Sequence, residues 1–165
     1  RLSTKKLVQP DRTLGNSLKN DLIKGGYWFY KPEKKLDLLF ICTGVIVGEV
    51  LNAVEAMKED NLNIGLFIVS SPDRLYQDWL ESTKKTDFTS FIESQLSIIE
   101  ISTPIITIID GHSSSLSWIG SVKGQRIIPL GVNNFGQSGD LNEIYKISEI
   151  DLNSIVDRIA NFILE

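Results

Sequence analysis

The sequence predicts a three-layer α/β fold, in which helices cover both faces of an open sheet of five mostly parallel strands with one antiparallel edge strand. Three observations lead there. The runs Leu36–Thr43, Ile64–Val69 and Pro104–Ile109 are apolar with little polar alternation, the profile of strands buried on both faces. The segments between the strands repeat apolar residues at intervals of three and four, the helical period. The aromatic run Tyr27-Trp28-Phe29-Tyr30 is separated from Leu36 by residues 31 to 35 alone. A parallel crossover needs a dozen residues or more, so these two strands run antiparallel.

Along the chain, residues 1 to 23 are polar, with Pro10 and Gly15 among Ser, Asn, Asp and Lys. They read as a linker or the tail of a preceding domain, which leaves residues 24 to 165 as one domain. Pro32 closes the aromatic strand, and Gly44 ends the first buried one. Val47, Val50, Leu51, Val54 and Met57 then form one apolar helix face. After Ile64–Val69, Ser71-Pro72-Asp73 is a helix start, with a hydroxyl to cap, proline at the first helical position and a carboxylate in the first turn. Leu75 and Trp79, four apart, share the buried side of that helix. Phe88, Phe91, Ile92 and Leu96 suggest another helix before Pro104–Ile109, and Gln125–Leu130 is the last strand. Helices near 140 to 147 and 151 to 164 close the chain. The second carries the stripe Leu152, Ile155, Val156, Ile159 and Ile163, with Asp151 as its cap. In such sheets ligands and partners bind beyond the carboxyl ends of the strands, here Thr43-Gly44, Ser70-Ser71, Asp110-Gly111-His112 and Gly131-Val132-Asn133-Asn134.

Composition narrows the function. With 165 residues, 42% hydrophobic and 23% charged, the chain has the make-up of one globular domain. No apolar run approaches the ~20 residues of a membrane span. The net charge of −4, with lysines scattered, disfavours nucleic acid and membrane lipid as partners, because both reward a concentrated basic face. Lys5-Lys6, Lys34-Lys35 and Lys84-Lys85 read as solvated loops. The single cysteine, Cys42, excludes an intrachain disulfide and suits a reducing compartment, which points to the cytoplasm. The chain begins at Arg1 with neither an initiator methionine nor a signal-peptide pattern, and reads as a fragment or processed product.

The residues exclude more chemistry than they offer. Gly111-His112-Ser113-Ser114-Ser115 resembles a nucleophile elbow, but Ser115 stands where the second glycine lets that turn close. His112 is the only histidine, and it sits beside the candidate serine rather than on another loop as general base. One histidine and one cysteine cannot make a structural zinc site. Gly44-x-x-x-Gly48 lacks both the dinucleotide fingerprint and the P-loop ending. It is a tight turn with close helix packing, or a helix start whose free N–H groups hold a small anion. His112 has two readings: a functional imidazole raised and oriented by Asp110, or a residue that caps the next short helix or packs under Trp118. Phe135-Gly136-Gln137-Ser138-Gly139-Asp140 is a binding loop or an aromatic-anchored turn, with Ser138 or Asp140 capping the helix after it. Trp28, Trp79 and Trp118 read as core or interface residues, since no basic groove accompanies them. The candidate ligand or interface residues are Asp110, His112, Ser113, Phe135, Gly136, Gln137 and Ser138, and no residue is assigned to catalysis or to a metal.

Taken in order, Thr43-Gly44, Ser71-Pro72-Asp73, Asp110-Gly111-His112, Pro129-Leu130-Gly131 and Phe135-Gly136-Gln137-Ser138-Gly139 resemble the C-terminal domain of the transketolase family over residues 24 to 165. The phenylalanine-glycine-x-serine element is the most specific of them. Arg1-Leu2-Ser3-Thr4 resembles the end of that family's preceding pyrimidine-binding domain. The interval Tyr76 to Pro104 and the Phe135 element are also similar to the homodimeric first component of pyruvate dehydrogenase, which shares the domain. Glu149 stands where relatives usually carry a glycine before the final helix. The resemblance implies a dimeric enzyme of carbohydrate metabolism that uses thiamine diphosphate and magnesium to transfer a two-carbon ketol unit between sugar phosphates, or to decarboxylate a 2-oxo acid. The Gly-Asp-Gly cofactor pattern with its following asparagine is absent. What the resemblance implies for this chain is therefore a non-catalytic assembly domain, inactive alone, whose partners are the remaining domains or subunit and a second copy. An alternative of another class is a regulatory module that binds a small anion through Gly44, Gly111 and Gly136.

Overall fold

Helices cover both faces of a five-stranded sheet in the computed structural model, which describes residues 13–134 and 139–164. The elements run α1 (Asn16–Lys24), β1 (Gly26–Tyr30), β2 (Leu38–Thr43), α2 (Val47–Lys58), β3 (Ile64–Val69), α3 (Pro72–Ser82), α4 (Phe91–Leu96), β4 (Ile105–Ile109), α5 (Gly120–Lys123), β5 (Ile127–Gly131), α6 (Leu141–Ile147) and α7 (Leu152–Leu164). Short 3₁₀ stretches, Gly44–Ile46 and Ser113–Ile119, precede α2 and α5. The strand order is β1-β3-β2-β4-β5, parallel throughout except for β1.

The apolar strands divide their side chains between two cores. Leu38, Phe40, Cys42, Leu66, Ile106 and Ile108 meet α2, α6 and α7 on one face. Leu39, Ile41, Phe67, Val69 and Ile105 meet α3, α4 and the 113–119 stretch on the other. This follows from the pleat, because successive residues of a strand point to opposite faces. The topology agrees: β2 to β3 and β3 to β4 step in opposite directions, so crossovers of one hand place α2 and α3 on opposite faces.

Strands β1 and β2 do run in opposite directions, but they are not neighbours, since β3 lies between them. The connection passes under the start of β3 and is fastened there by Asn63, whose N–H donates to Asp37 Oδ2 at 2.7 Å and whose amide donates to Lys35 O at 2.5 Å. At the other end Gly26 lies against Phe67 so closely that a Cβ would be 2.4 Å from the ring. Within residues 1 to 23, read from the sequence as a linker or the tail of a preceding domain, residues 16 to 23 belong to α1. No α1 residue is buried, which is why no apolar stripe announced it. Its last turn is held instead by Gly25, at φ +116°, and by Ser70 Oγ and Arg74, which donate to the carbonyls of Leu22 and Ile23.

Local details differ from the sequence expectation as well. Helix α4 starts at Phe91 rather than Phe88, because Ser90 and Glu93 form a reciprocal capping box. Ser71 does not cap α3; its hydroxyl donates to Asp73 Oδ1 at 2.7 Å. Gln125 precedes β5 and donates its amide to Glu100 O at 3.0 Å. Asp140 caps α6, accepting from Asn142 N–H at 2.9 Å.

Glu149, with φ +56°, sits in the left-handed region that favours glycine. It terminates α6: its N–H bonds to Lys146 O, the N–H of Ile150 bonds to Tyr145 O, and Ile150 and Tyr145 are both buried in one core cluster. Left-handed backbone costs a non-glycine residue ~1–2 kcal/mol, while glycine loses ~0.5–1 kcal/mol through chain entropy. Glu149→Gly should therefore stabilise the domain by about 0.5–1 kcal/mol. A lower denaturation midpoint for Glu149→Gly would show that the Glu149 side chain contributes more than its backbone costs.

Candidate functional site

The carboxyl ends of β2, β3, β4 and β5 lie along one edge of the sheet, and the connections leaving them form the candidate site. Its tightest point joins the loops after β4 and β5. Val132 N–H donates to Gly111 O at 2.7 Å. A Cβ on Gly131 would fall 2.5 Å from Gly111 O and 2.8 Å from Ser113 N, so only glycine admits this approach. Ser113 is buried beside it, and its hydroxyl donates to Asn133 Oδ1 at 2.6 Å. The two loops are thereby locked into one surface.

Asp110 and His112 turn away from each other's chemistry. Asp110 Oδ2 accepts the Tyr145 hydroxyl at 3.3 Å. Burial, reinforced by the negative charges of Asp110 and Glu49, raises the Tyr145 phenol above its usual range and keeps it a donor. His112 is exposed and caps the following 3₁₀ stretch. Its Nδ1 accepts from Ser114 N–H at 3.3 Å and lies 2.8 Å from Ser114 Oγ. Accepting from the backbone requires an unprotonated Nδ1, which puts the ring proton of the neutral form on Nε2. The capping reading of His112 is the one its geometry fits.

Trp118 packs with other aromatic rings. It stacks on Trp79 with ring centroids 5.2 Å apart and an interplanar angle of 26°, and Tyr76 meets it edge-on at 5.2 Å. All three rings keep some exposed surface, and Tyr76 is 37% exposed. Beside them an open groove of about 370 Å³ is lined by Pro72, Asp73, Tyr76, Ser114, Ser115 and Trp118. The sequence reading did not include Tyr76 in the site, although its three-residue spacing from Trp79 places both on one side of α3.

Cys42 is fully buried, and burial pushes its thiol up to about 12, which leaves it neutral and unreactive at ordinary pH. Phe135, Gly136, Gln137 and Ser138 lie outside the described residues. Among the described residues no group of three or more His, Cys, Asp and Glu could hold a metal ion, and no helix is long and apolar enough to cross a membrane. No catalytic step is assigned to these residues.

Residues 25–151 match the family described as the transketolase-like TK C-terminal domain. The transketolase of Scheffersomyces stipitis is 28% identical over 137 residues, which cover 83% of this chain and 17% of that protein. A crystal structure of transketolase from Pichia stipitis superposes with a TM-score of 0.59 and 22% identity, covering 88% of this chain and 19% of the other. A split-gene transketolase, described as an inactive β4 tetramer, superposes with a TM-score of 0.62 and 10% identity, over 95% of this chain and 46% of its own. At those identities the two structures speak for the fold alone. The chain thus spans about a sixth of the length of the curated relative it matches.

Trp118→Ala should cost the domain about 2 kcal/mol or more, since it removes half of a stacked pair, whereas His112→Ala should cost about 1 kcal/mol, the loss of one cap. Chemical denaturation of the two variants checks the order. Equal midpoints would mean that the cap at His112 carries as much stability as the aromatic stack.

Proposed function

The chain belongs to the transketolase C-terminal domain family, and on that premise we propose that it is the non-catalytic assembly domain of a thiamine-diphosphate-dependent ketol transferase. The observation that carries the reading is the use made of the reactive groups at the carboxyl edge. His112 caps a 3₁₀ stretch, Ser113 is tied to Asn133, Asp110 takes the Tyr145 hydroxyl, and Cys42 is buried. A surface of ordered loops and half-exposed aromatic rings suits contact better than catalysis. Thiamine diphosphate and magnesium would be held by other parts of the complete protein, in keeping with the missing Gly-Asp-Gly pattern. Residues 24–165 would form the domain and residues 1–23 its approach from a pyrimidine-binding domain, with α1 packed at the boundary. The whole enzyme would be a homodimer.

The test uses the complete protein and this chain side by side. With thiamine diphosphate and magnesium, the complete protein should transfer a two-carbon unit from xylulose phosphate to an aldose phosphate, and it should leave pyruvate untouched. The chain alone should show neither turnover nor calorimetric binding of thiamine diphosphate. Turnover of pyruvate in place of the sugar phosphates would favour a 2-oxo acid dehydrogenase component. Tight cofactor binding by the chain alone would end the assembly reading.

A further inference from the structure

We propose that the groove between α3 and the 113–119 stretch is a socket for an arginine or lysine side chain on a basic polypeptide segment elsewhere in the complete protein. The proposal rests on the assembly reading and names the chemistry of the contact. The socket has two aromatic walls, Tyr76 and Trp118, and a carboxylate, Asp73, at its rim. Aromatic faces carry the negative lobe of the ring quadrupole, so they and the carboxylate favour the same charge sign in an occupant. A planar guanidinium can stack on a ring while its N–H fork reaches a carboxylate.

The walls are fixed before anything binds. Trp79 backs Trp118, Tyr76 braces it edge-on, and Ser71 Oγ holds Asp73. The groove contains no cation of its own. Its lining is otherwise Pro72, Ser114 and Ser115. The Ser71 hydroxyl, helped by Arg74 next in the chain, holds the Asp73 carboxyl below its usual range. The Arg74 guanidinium donates to Ile23 O at 2.9 Å, and Lys24 lies over the Phe91 ring at 5.3 Å, so neither cation lines the groove. The connections 44–46, 70–71, 110–112 and 132–134 contribute Asp110 and no lysine or arginine to this edge. The lysines at 31, 34, 35 and 58 flank the opposite ends of the strands. A second argument selects polypeptide over a small ligand. The groove is open, and its Tyr76 and Trp118 walls themselves keep exposed surface, residue types that anchor protein interfaces.

Photo-cross-linking in the complete, assembled protein tests this, with p-benzoylphenylalanine in place of Tyr76 and the adducts mapped by mass spectrometry. The expected adduct joins a peptide outside residues 13–164 at a position next to arginine or lysine. Its yield should fall about tenfold in Asp73→Asn, the order expected for losing a charge-assisted contact. It should vanish in Ser115→Arg, which fills the socket from its own wall. Adducts confined to residues 13–164, adducts on a segment without arginine or lysine, no adduct, or a yield indifferent to both substitutions would each overturn the socket. Thermal melting of each variant confirms that it is folded. Ketol transfer assayed on the same samples keeps the two readings apart: an active enzyme without a basic adduct sinks the socket alone, and an inactive one with the adduct sinks the assembly reading while the socket stands.

Discussion

Burial of the parallel strands on both faces is the constraint on which the rest of the structure depends. Phe40, Leu66 and Ile106 serve one core, Ile41, Phe67 and Ile105 the other, and all six are fully buried. Each such side chain contributes roughly 1.5–3 kcal/mol of burial free energy, so neither helical layer can be removed without exposing half of every strand. Pairing of β2 with β3 and β4 then brings Thr43, Val69 and Ile109 level, and β4 with β5 does the same for Gly131. The four connections must therefore leave from one edge. Their shared surface is a consequence of the core rather than of any contact among the loops.

The loops nevertheless reinforce that surface. Gly131 admits the Gly111 carbonyl, Ser113 reaches Asn133, and the phenol of Tyr145 is held to Asp110 from α6. These contacts consume the side chains that a catalytic reading would have used. What remains outward is aromatic and acidic: Tyr76, Trp118 and Asp73, with His112 beside them as a cap. Rigidity and charge of this kind suit recognition of another polypeptide.

The strands and most helices were legible because burial on two faces writes an unbroken apolar run, and burial on one face writes a 3.6-residue stripe. Ile64–Val69 needed no correction at all. Helix α1 was not legible, because capping and hydrogen bonds from Ser70 and Arg74 hold it rather than an apolar face. The strand order was hidden for a related reason: Asn63 bridges Asp37 and Lys35 across sequence separations that no local pattern reports. At the edge, Asp110, His112 and Ser113 were found as residues, but their partners Tyr145, Ser114 and Asn133 settle what each one does. Tyr76 was missed because its neighbour Trp118 comes from a distant segment. The capping box at Ser90 and Glu93 was visible in the sequence and went unread.

The central claim is that the carboxyl edge is a contact surface in the complete protein. Hydrogen exchange measures it most directly, by comparing this chain alone with the same residues inside the assembled protein. The account predicts slower exchange in the assembly for the backbone of residues 110–119 and of the first turns of α3 and α6, with β2 and β4 unchanged because they are already protected. Equal exchange of those segments in the two samples, or protection confined to α7, would contradict it.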